Sequence, residues 1–139
     1  MNRGNRVASL AGSTLARFLL VGVGNTLVGL SVIYLLKWFA QAGDSLANLG
    51  GYVVGFVFSF TFNRKFTFRF RGATWVTFAK FALVISAGYL LNLAVVLLAV
   101  HRLHVNGYVA QAMGILPYTA FTYLGSKYFV FVAREAGTA

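Results

Sequence analysis

Several residue types are scarce or missing in this chain of 139 residues, and each absence excludes a class of protein. There is no cysteine, which excludes disulfides, thiolate metal sites and cysteine nucleophiles. Charged residues make up only 10% of the chain, whereas about 25% is usual in a soluble domain. With 59% hydrophobic residues, this deficit indicates a chain whose solvent is mostly lipid.

Acidic residues are especially few, because only Asp44 and Glu135 are present and the formal net charge is +10. Neither acid lies within an apolar run, whereas a proton-coupled multidrug exporter usually titrates a buried carboxylate. The chain also has no pair of neighbouring carboxylates that could catalyse hydrolysis as a general acid and base. His101 and His104 lack further metal ligands nearby. We therefore expect neither an enzyme nor a cofactor or metal site.

What the chain has instead is four uncharged runs, at 18–36, 45–63, 81–100 and 105–126. A helix needs about 20 apolar residues to cross the hydrocarbon core of a bilayer, and none of the runs alternates as a barrel strand does. The first run is also longer than the apolar core of a signal peptide. The sequence predicts an all-α integral membrane protein with four transmembrane helices.

The basic residues indicate the orientation of these helices. They cluster in the N-terminal tail, between the second and third runs, and in the C-terminal tail, while the two other connections carry only Lys37 and Arg102. The positive-inside rule then places both termini and the middle loop in the cytoplasm. Basic residues that flank membrane spans in this way argue against nucleic-acid binding.

An internal repeat appears when the chain is shifted by 63 residues, so that 17–68 aligns with 80–131 without a gap. "RFLLVGVGNTLVGLSVIYLL" then lies over "KFALVISAGYLLNLAVVLLA", and "NRKFTF" over "SKYFVF". We predict two parallel helical-hairpin repeats within one membrane domain, 17–131, with a basic cytoplasmic tail at 1–16 and a second tail at 132–139.

A few polar residues fall inside the predicted spans. The second run has small or polar residues at every fourth position, Ala47, Gly51, Gly55, Ser59 and Asn63, which favours close helix packing. Asn25 and Asn92 lie at mid-depth, where an amide is costly unless it is paired or lines a wet cavity. The sequence leaves both alternatives open, an interhelical hydrogen bond or a polar lining for a substrate.

These motifs resemble those of the GtrA-like family of small membrane proteins. The residues that carry the resemblance are "RFLLVGVGNT" at 17–26, "FTFNRKFTF" at 60–68, Asn92, and "YLGSKYFVF" at 123–131. The resemblance implies a function with polyprenyl-phosphate-linked sugars, either in flipping such lipids across the membrane or in assisting the glycosyltransferases that make or use them. The second motif departs from the family pattern, because it has Ser126 and Lys127 where an Asn-Arg-Lys element is often repeated.

We accordingly predict a flippase for a polyprenyl-phosphate-linked sugar in cell-surface polysaccharide or glycan modification. The alternative is a non-transporting subunit that recruits or stabilises a membrane glycosyltransferase. A homodimer stays an open alternative, because four short helices enclose little volume. The expected partners are the sugar lipid and membrane lipids, and the predicted substrate-binding residues are Arg17, Asn25, Asn63, Arg64, Lys65, Lys80, Asn92 and Lys127.

Overall fold

The computed structural model describes residues 3–132, and this part of the chain is helical, without strands. Four α-helices follow one another: α1 (Arg3–Phe39), α2 (Asp44–Phe62), α3 (Thr74–His101) and α4 (Gly107–Gly125). A π-helical turn continues α2 (first π-turn, Asn63–Thr67), and another continues α4 (second π-turn, Ser126–Val130). The all-helical prediction is confirmed.

Three of the helical segments are long and apolar enough to cross a membrane: Gly12–Phe39, Asp44–Thr67 and Thr74–His101. The chain is therefore a multi-pass membrane protein, as the apolar runs indicate. Helix α4 is a helix of 19 residues that continues through Pro117. That α4 also spans the membrane stays a prediction.

The chain divides into two compact units between Arg71 and Gly72. Unit 1 is a hairpin in which α1 packs against α2, and unit 2 is a hairpin in which α3 packs against α4. In each hairpin, the π-turn at the end of the second helix also packs against the first helix. Because the two helices of a hairpin run in opposite directions, the turn returns to the N-terminal half of the first helix.

Close helix contact in unit 1 depends on glycine. A methyl group built on Gly51 would lie 2.8 Å from the carbonyl oxygen of Gly29 on α1, closer than real side chains approach. One turn further along α2, a methyl group on Gly55 would lie 2.7 Å from Asn25 Oδ1. The small-residue face predicted for the second run is therefore the face on which α2 meets α1, and Ala47, Gly51 and Gly55 are buried there.

Unit 2 has an equivalent contact with different side chains. Gly114, which stands 63 residues after Gly51, faces Asn92 and Val96 of α3. Gly88 of α3 faces Thr122 and Tyr118 of α4. Both glycines are buried, so α3 and α4 also approach closely.

The helix boundaries differ from the predicted ones at two places. Helix α1 begins at Arg3, well before the apolar run, so the predicted tail at 1–16 is helical from its third residue. The loop predicted between the second and third spans, from Arg64 to Lys80, is shorter in the structure. Arg64 lies in the first π-turn, and Lys80 lies in α3. The predicted boundaries are the charged residues that end each apolar run. A helix can continue past such residues, because helix formation depends on the backbone hydrogen bonds and does not require apolar side chains. The predicted tail beyond residue 132 lies outside the described residues.

Candidate functional site

The first π-turn places an aromatic cluster beside the start of the apolar part of α1. The guanidinium carbon of Arg17 lies 5.5 Å from the centre of the Phe66 ring, within cation–π range. The next residue on α1, Phe18, meets Phe68 edge to face with 6.3 Å between ring centres. These contacts join the two ends of the hairpin, which are 49 residues apart in the chain (from 17 to 66).

A relay of three side chains runs along the inner face of this turn. Asn63 is 2% exposed, its Nδ2 donates to Ser59 Oγ at 3.2 Å, and its Oδ1 accepts from Thr67 Oγ1 at 2.9 Å. Ser59, Asn63 and Thr67 follow one another at four-residue intervals, so the relay bridges the change from α2 to the π-turn. We call these three residues the polar relay. Both sides of the Asn63 amide are engaged inside the unit.

The basic residues of the turn lie outside the relay. Lys65 is exposed and Arg64 is partly buried, and both stand between Asn63 and Thr67 in the chain. Arg17 contacts Phe66 of the same turn, so these three cations share one end of the hairpin, and Arg69 and Arg71 follow the turn in the chain. The one acid of unit 1, Asp44, begins α2 at the opposite end and pairs there with Lys37. The cation cluster (Arg17, Arg64, Lys65) is therefore a local excess of positive charge that would attract an anion.

Unit 2 carries a reduced form of the same arrangement. Lys80 Nζ lies 5.1 Å from the centre of the Phe129 ring, and Phe81 meets Phe131 with 5.9 Å between ring centres. All four residues stand 63 positions after their counterparts in unit 1. The second cation of this cluster is Lys127, which occupies the position equivalent to Arg64.

The surroundings of Lys127 differ from those of its counterpart. Its Nζ lies 5.8 Å from the centre of the Tyr123 ring and 5.2 Å from that of Tyr128. Ser126, at the position of Asn63, is fully buried, and its hydroxyl has no hydrogen-bond partner within the described part of the chain. Val130 replaces Thr67, so unit 2 cannot form the relay.

The two mid-depth amides lie inside the hairpins. Asn25 is partly buried, and its Oδ1 is enclosed against Gly55 with no hydrogen-bond partner in residues 3–132. Asn92 is also partly buried, and a methyl group built on Gly114 would lie 2.6 Å from its Nδ2. Each amide therefore contacts a glycine of the neighbouring helix. No interhelical hydrogen bond to Asn25 Oδ1 forms among the described residues, although the sequence left that alternative open.

The structure thus groups the eight predicted site residues by unit. In unit 1, Asn63, Arg64 and Lys65 lie in the first π-turn, and Arg17 contacts Phe66 of the same turn. In unit 2, Lys127 lies in the second π-turn, Lys80 contacts Phe129 of that turn, and Asn92 lies further along α3. Asn25 is eight residues along α1 from Arg17, or about 12 Å at the rise of an α-helix. Sequence reasoning missed Thr67, although it extends the four-residue spacing from Ala47 to Asn63 by one more step.

A known family of membrane proteins matches most of the chain. Residues 17–131 match the GtrA/DPMS transmembrane domain. The chain belongs to this family. The match begins at Arg17 and ends at Phe131, so it covers both π-turns and both hairpins apart from the first part of α1.

A relative of known name is the prophage bactoprenol-linked glucose translocase homolog of Escherichia coli (strain K12). It is 41% identical to this chain over 54 residues, which are 39% of this chain and 45% of the relative. The chain thus covers less than half the length of that relative in the alignment.

Proposed function

We propose that this protein translocates a polyprenyl-phosphate-linked sugar across the bacterial inner membrane, with both of its termini in the cytoplasm. The observation that carries the proposal is the cation cluster of unit 1, which stands at the end of apolar helices in a member of the GtrA/DPMS family. The name of the E. coli relative supports the same class of lipid.

The chemistry of such a lipid matches the features of the site. The phosphodiester is an anion, and Arg17, Arg64 and Lys65 can hold it by charge-assisted hydrogen bonds. Lys80 and Lys127 offer a second, weaker set in unit 2. The polyprenyl tail requires an apolar path, which the exposed apolar faces of α1 and α2 provide. Asn25 and Asn92 are the amides nearest mid-depth, where sugar hydroxyls would pass.

We further propose that the two units are copies of one hairpin and that α4 is a fourth span. The support is the constant shift of 63 residues between matched contacts: Arg17–Phe66 and Lys80–Phe129, Phe18–Phe68 and Phe81–Phe131, and the two π-turns. An even number of spans in each copy would place the basic residues before and after each hairpin on the same side of the membrane, as the positive-inside rule requires.

The function is tested by reconstitution of the purified chain in liposomes with a fluorescent polyprenyl-phosphate sugar. Loss of lipid from the outer leaflet is followed by a membrane-impermeant quencher. We expect protein-dependent flipping, reduced about 10-fold or more in Arg64→Ala/Lys65→Ala, because a hydrogen bond to a charged group contributes about 1.5–3 kcal/mol. The matched control is Arg69→Ala/Arg71→Ala, which removes two neighbouring cations outside the turn and should leave flipping unchanged.

The accessory-subunit function is the alternative, and one observation favours it. Asn25 Oδ1 is enclosed between α1 and α2, as expected of a residue that fits helices together and does not line a path. The same preparation discriminates the two functions. Flipping no faster than in empty liposomes, together with higher activity of an added membrane glycosyltransferase, would refute translocation and support the accessory function.

A further inference from the structure

The two π-turns differ in one respect that the proposed function does not use, namely how each turn is held. In unit 1 the polar relay crosses the turn from Ser59 through Asn63 to Thr67. In unit 2 the equivalent residues are Thr122, Ser126 and Val130. There the Thr122 hydroxyl bonds back to the carbonyl of Tyr118 at 2.7 Å, and the Ser126 hydroxyl has no partner in the described residues.

We propose that the polar relay is a positioning device that fixes the first π-turn and thereby makes unit 1 the half that binds the lipid phosphate. This inference rests on the proposed function and reassigns one residue of the predicted site. Asn63 positions Arg64 and Lys65 and does not touch the lipid, because it is buried and both ends of its amide are bonded within the turn.

The geometry of the turn shows which part of the chain the relay would fix. A π-turn is an uncommon single-turn interruption of an α-helix and occurs often at functional sites. In unit 1, the amide of Phe68 reaches back to the carbonyl of Asn63 at 2.9 Å, and the amide of Phe70 to that of Arg64 at 2.8 Å. The hydroxyl of Thr67 closes the same turn on its inner side. The residues of the chain between Asn63 and Thr67, which these hydrogen bonds enclose, are Arg64, Lys65 and Phe66.

A fixed turn improves anion binding because the basic side chains lose less freedom when the ligand arrives. Long basic side chains carry a large rotamer entropy, and ordering them at a binding site weakens affinity. The relay restricts the backbone of the turn before the ligand binds, and a cation–π contact with Phe66 restrains Arg17. The second turn has neither the relay nor a third cation, since Tyr128 replaces Lys65.

The test measures binding of a sugar-free polyprenyl phosphate to the full chain in nanodiscs. Thr67→Val keeps the shape of the side chain and removes the donor to Asn63, and we expect at least about 5-fold weaker binding. Thr67→Ser restores the hydroxyl and should bind within 2-fold of wild type. Thr77→Val is the matched control, because Thr77 is a buried threonine of unit 2 whose hydroxyl bonds to the Ala73 carbonyl.

A double-mutant cycle distinguishes positioning from general loss of stability. In the Arg64→Ala/Lys65→Ala background, Thr67→Val should weaken binding no further, since the cations it positions are gone. Hydrogen exchange at the amides of Phe68 and Phe70 should be faster in Thr67→Val alone. If Thr67→Val does not purify as a folded protein, Ser59→Ala removes the acceptor at the other end of the relay and takes its place.

Two results would overturn the inference while leaving the proposed function intact. One is wild-type affinity in Thr67→Val (or in Ser59→Ala, if that variant replaces it) combined with weak binding in Arg64→Ala/Lys65→Ala. The other is an equal loss caused by Thr67→Val with and without the two cations. If the wild-type chain binds no polyprenyl phosphate, the inference and the proposed lipid function fail together.

Discussion

Replacement of Gly51 by alanine tests whether α1 and α2 pack as closely as the structure describes. The added methyl group would lie 2.8 Å from the Gly29 carbonyl oxygen and 2.5 Å from Ile33 Cγ1. Ile33 can change its side-chain rotamer, but the Gly29 oxygen belongs to the backbone of a helix. An ordinary contact begins near 3.4 Å, so the helices must separate by about 0.6 Å (3.4 minus 2.8).

The expected loss of stability follows from two opposing effects. Alanine is favoured over glycine inside a helix by about 1 kcal/mol, and overpacking of a tight contact costs about 1–3 kcal/mol. Gly22→Ala is the matched control, because a methyl group there meets no atom within 4 Å and only the favourable effect applies. The two variants should therefore differ by about 2 kcal/mol in the free energy of unfolding, with Gly51→Ala the less stable.

The assay is thermal unfolding of both variants in the same mild detergent, followed by circular dichroism and by retention of the folded peak on size exclusion. A difference of about 2 kcal/mol corresponds to a Tm lower by about 8 °C in Gly51→Ala than in Gly22→Ala. If Gly51→Ala melts at or above the temperature of Gly22→Ala, α1 and α2 do not cross at Gly29 and Gly51, and the hairpin described for unit 1 is wrong.

Two further predictions concern buried polar atoms that have no partner in the described residues. Ser126→Ala should raise Tm slightly or leave it unchanged, because a buried hydroxyl without a partner costs stability. Thr122→Val removes a hydroxyl that is bonded, and a Tm loss in Ser126→Ala as large as in Thr122→Val would contradict this reasoning. Asn25→Leu should likewise preserve Tm. If Asn25 faces the sugar during flipping, this variant should lose transport in the liposome assay, whereas unchanged transport would assign Asn25 to helix packing alone.

Much of the fold followed from local composition. Uncharged runs of about 20 residues predict membrane helices whatever their neighbours are, because lipid requires each span to satisfy its own backbone hydrogen bonds. The four-residue spacing from Ala47 to Asn63 likewise predicted one face of α2, since residues at that interval share a side of a helix. That face is the one that packs against α1.

The candidate site was predicted only in part. The basic and aromatic residues around 63–71 were identified, but a uniform polarity pattern cannot indicate a π-turn, which inserts one extra residue without changing the composition. Thr67 was missed because it stands among phenylalanine and arginine residues in a segment predicted as a loop. Nothing in the sequence indicated that the amide of Asn63, a predicted lipid ligand, is bonded to Ser59 and Thr67.

The sequence by itself determined the solvent of this protein, its family and the side of the membrane on which its cations are expected. These properties depend on which residues are present and how far apart they stand. Only the tertiary structure decided which cations meet an aromatic ring, which amide is already bonded, and that Asn25 faces Gly55. Those contacts depend on how closely two helices approach, and residues far apart in the chain set that distance together.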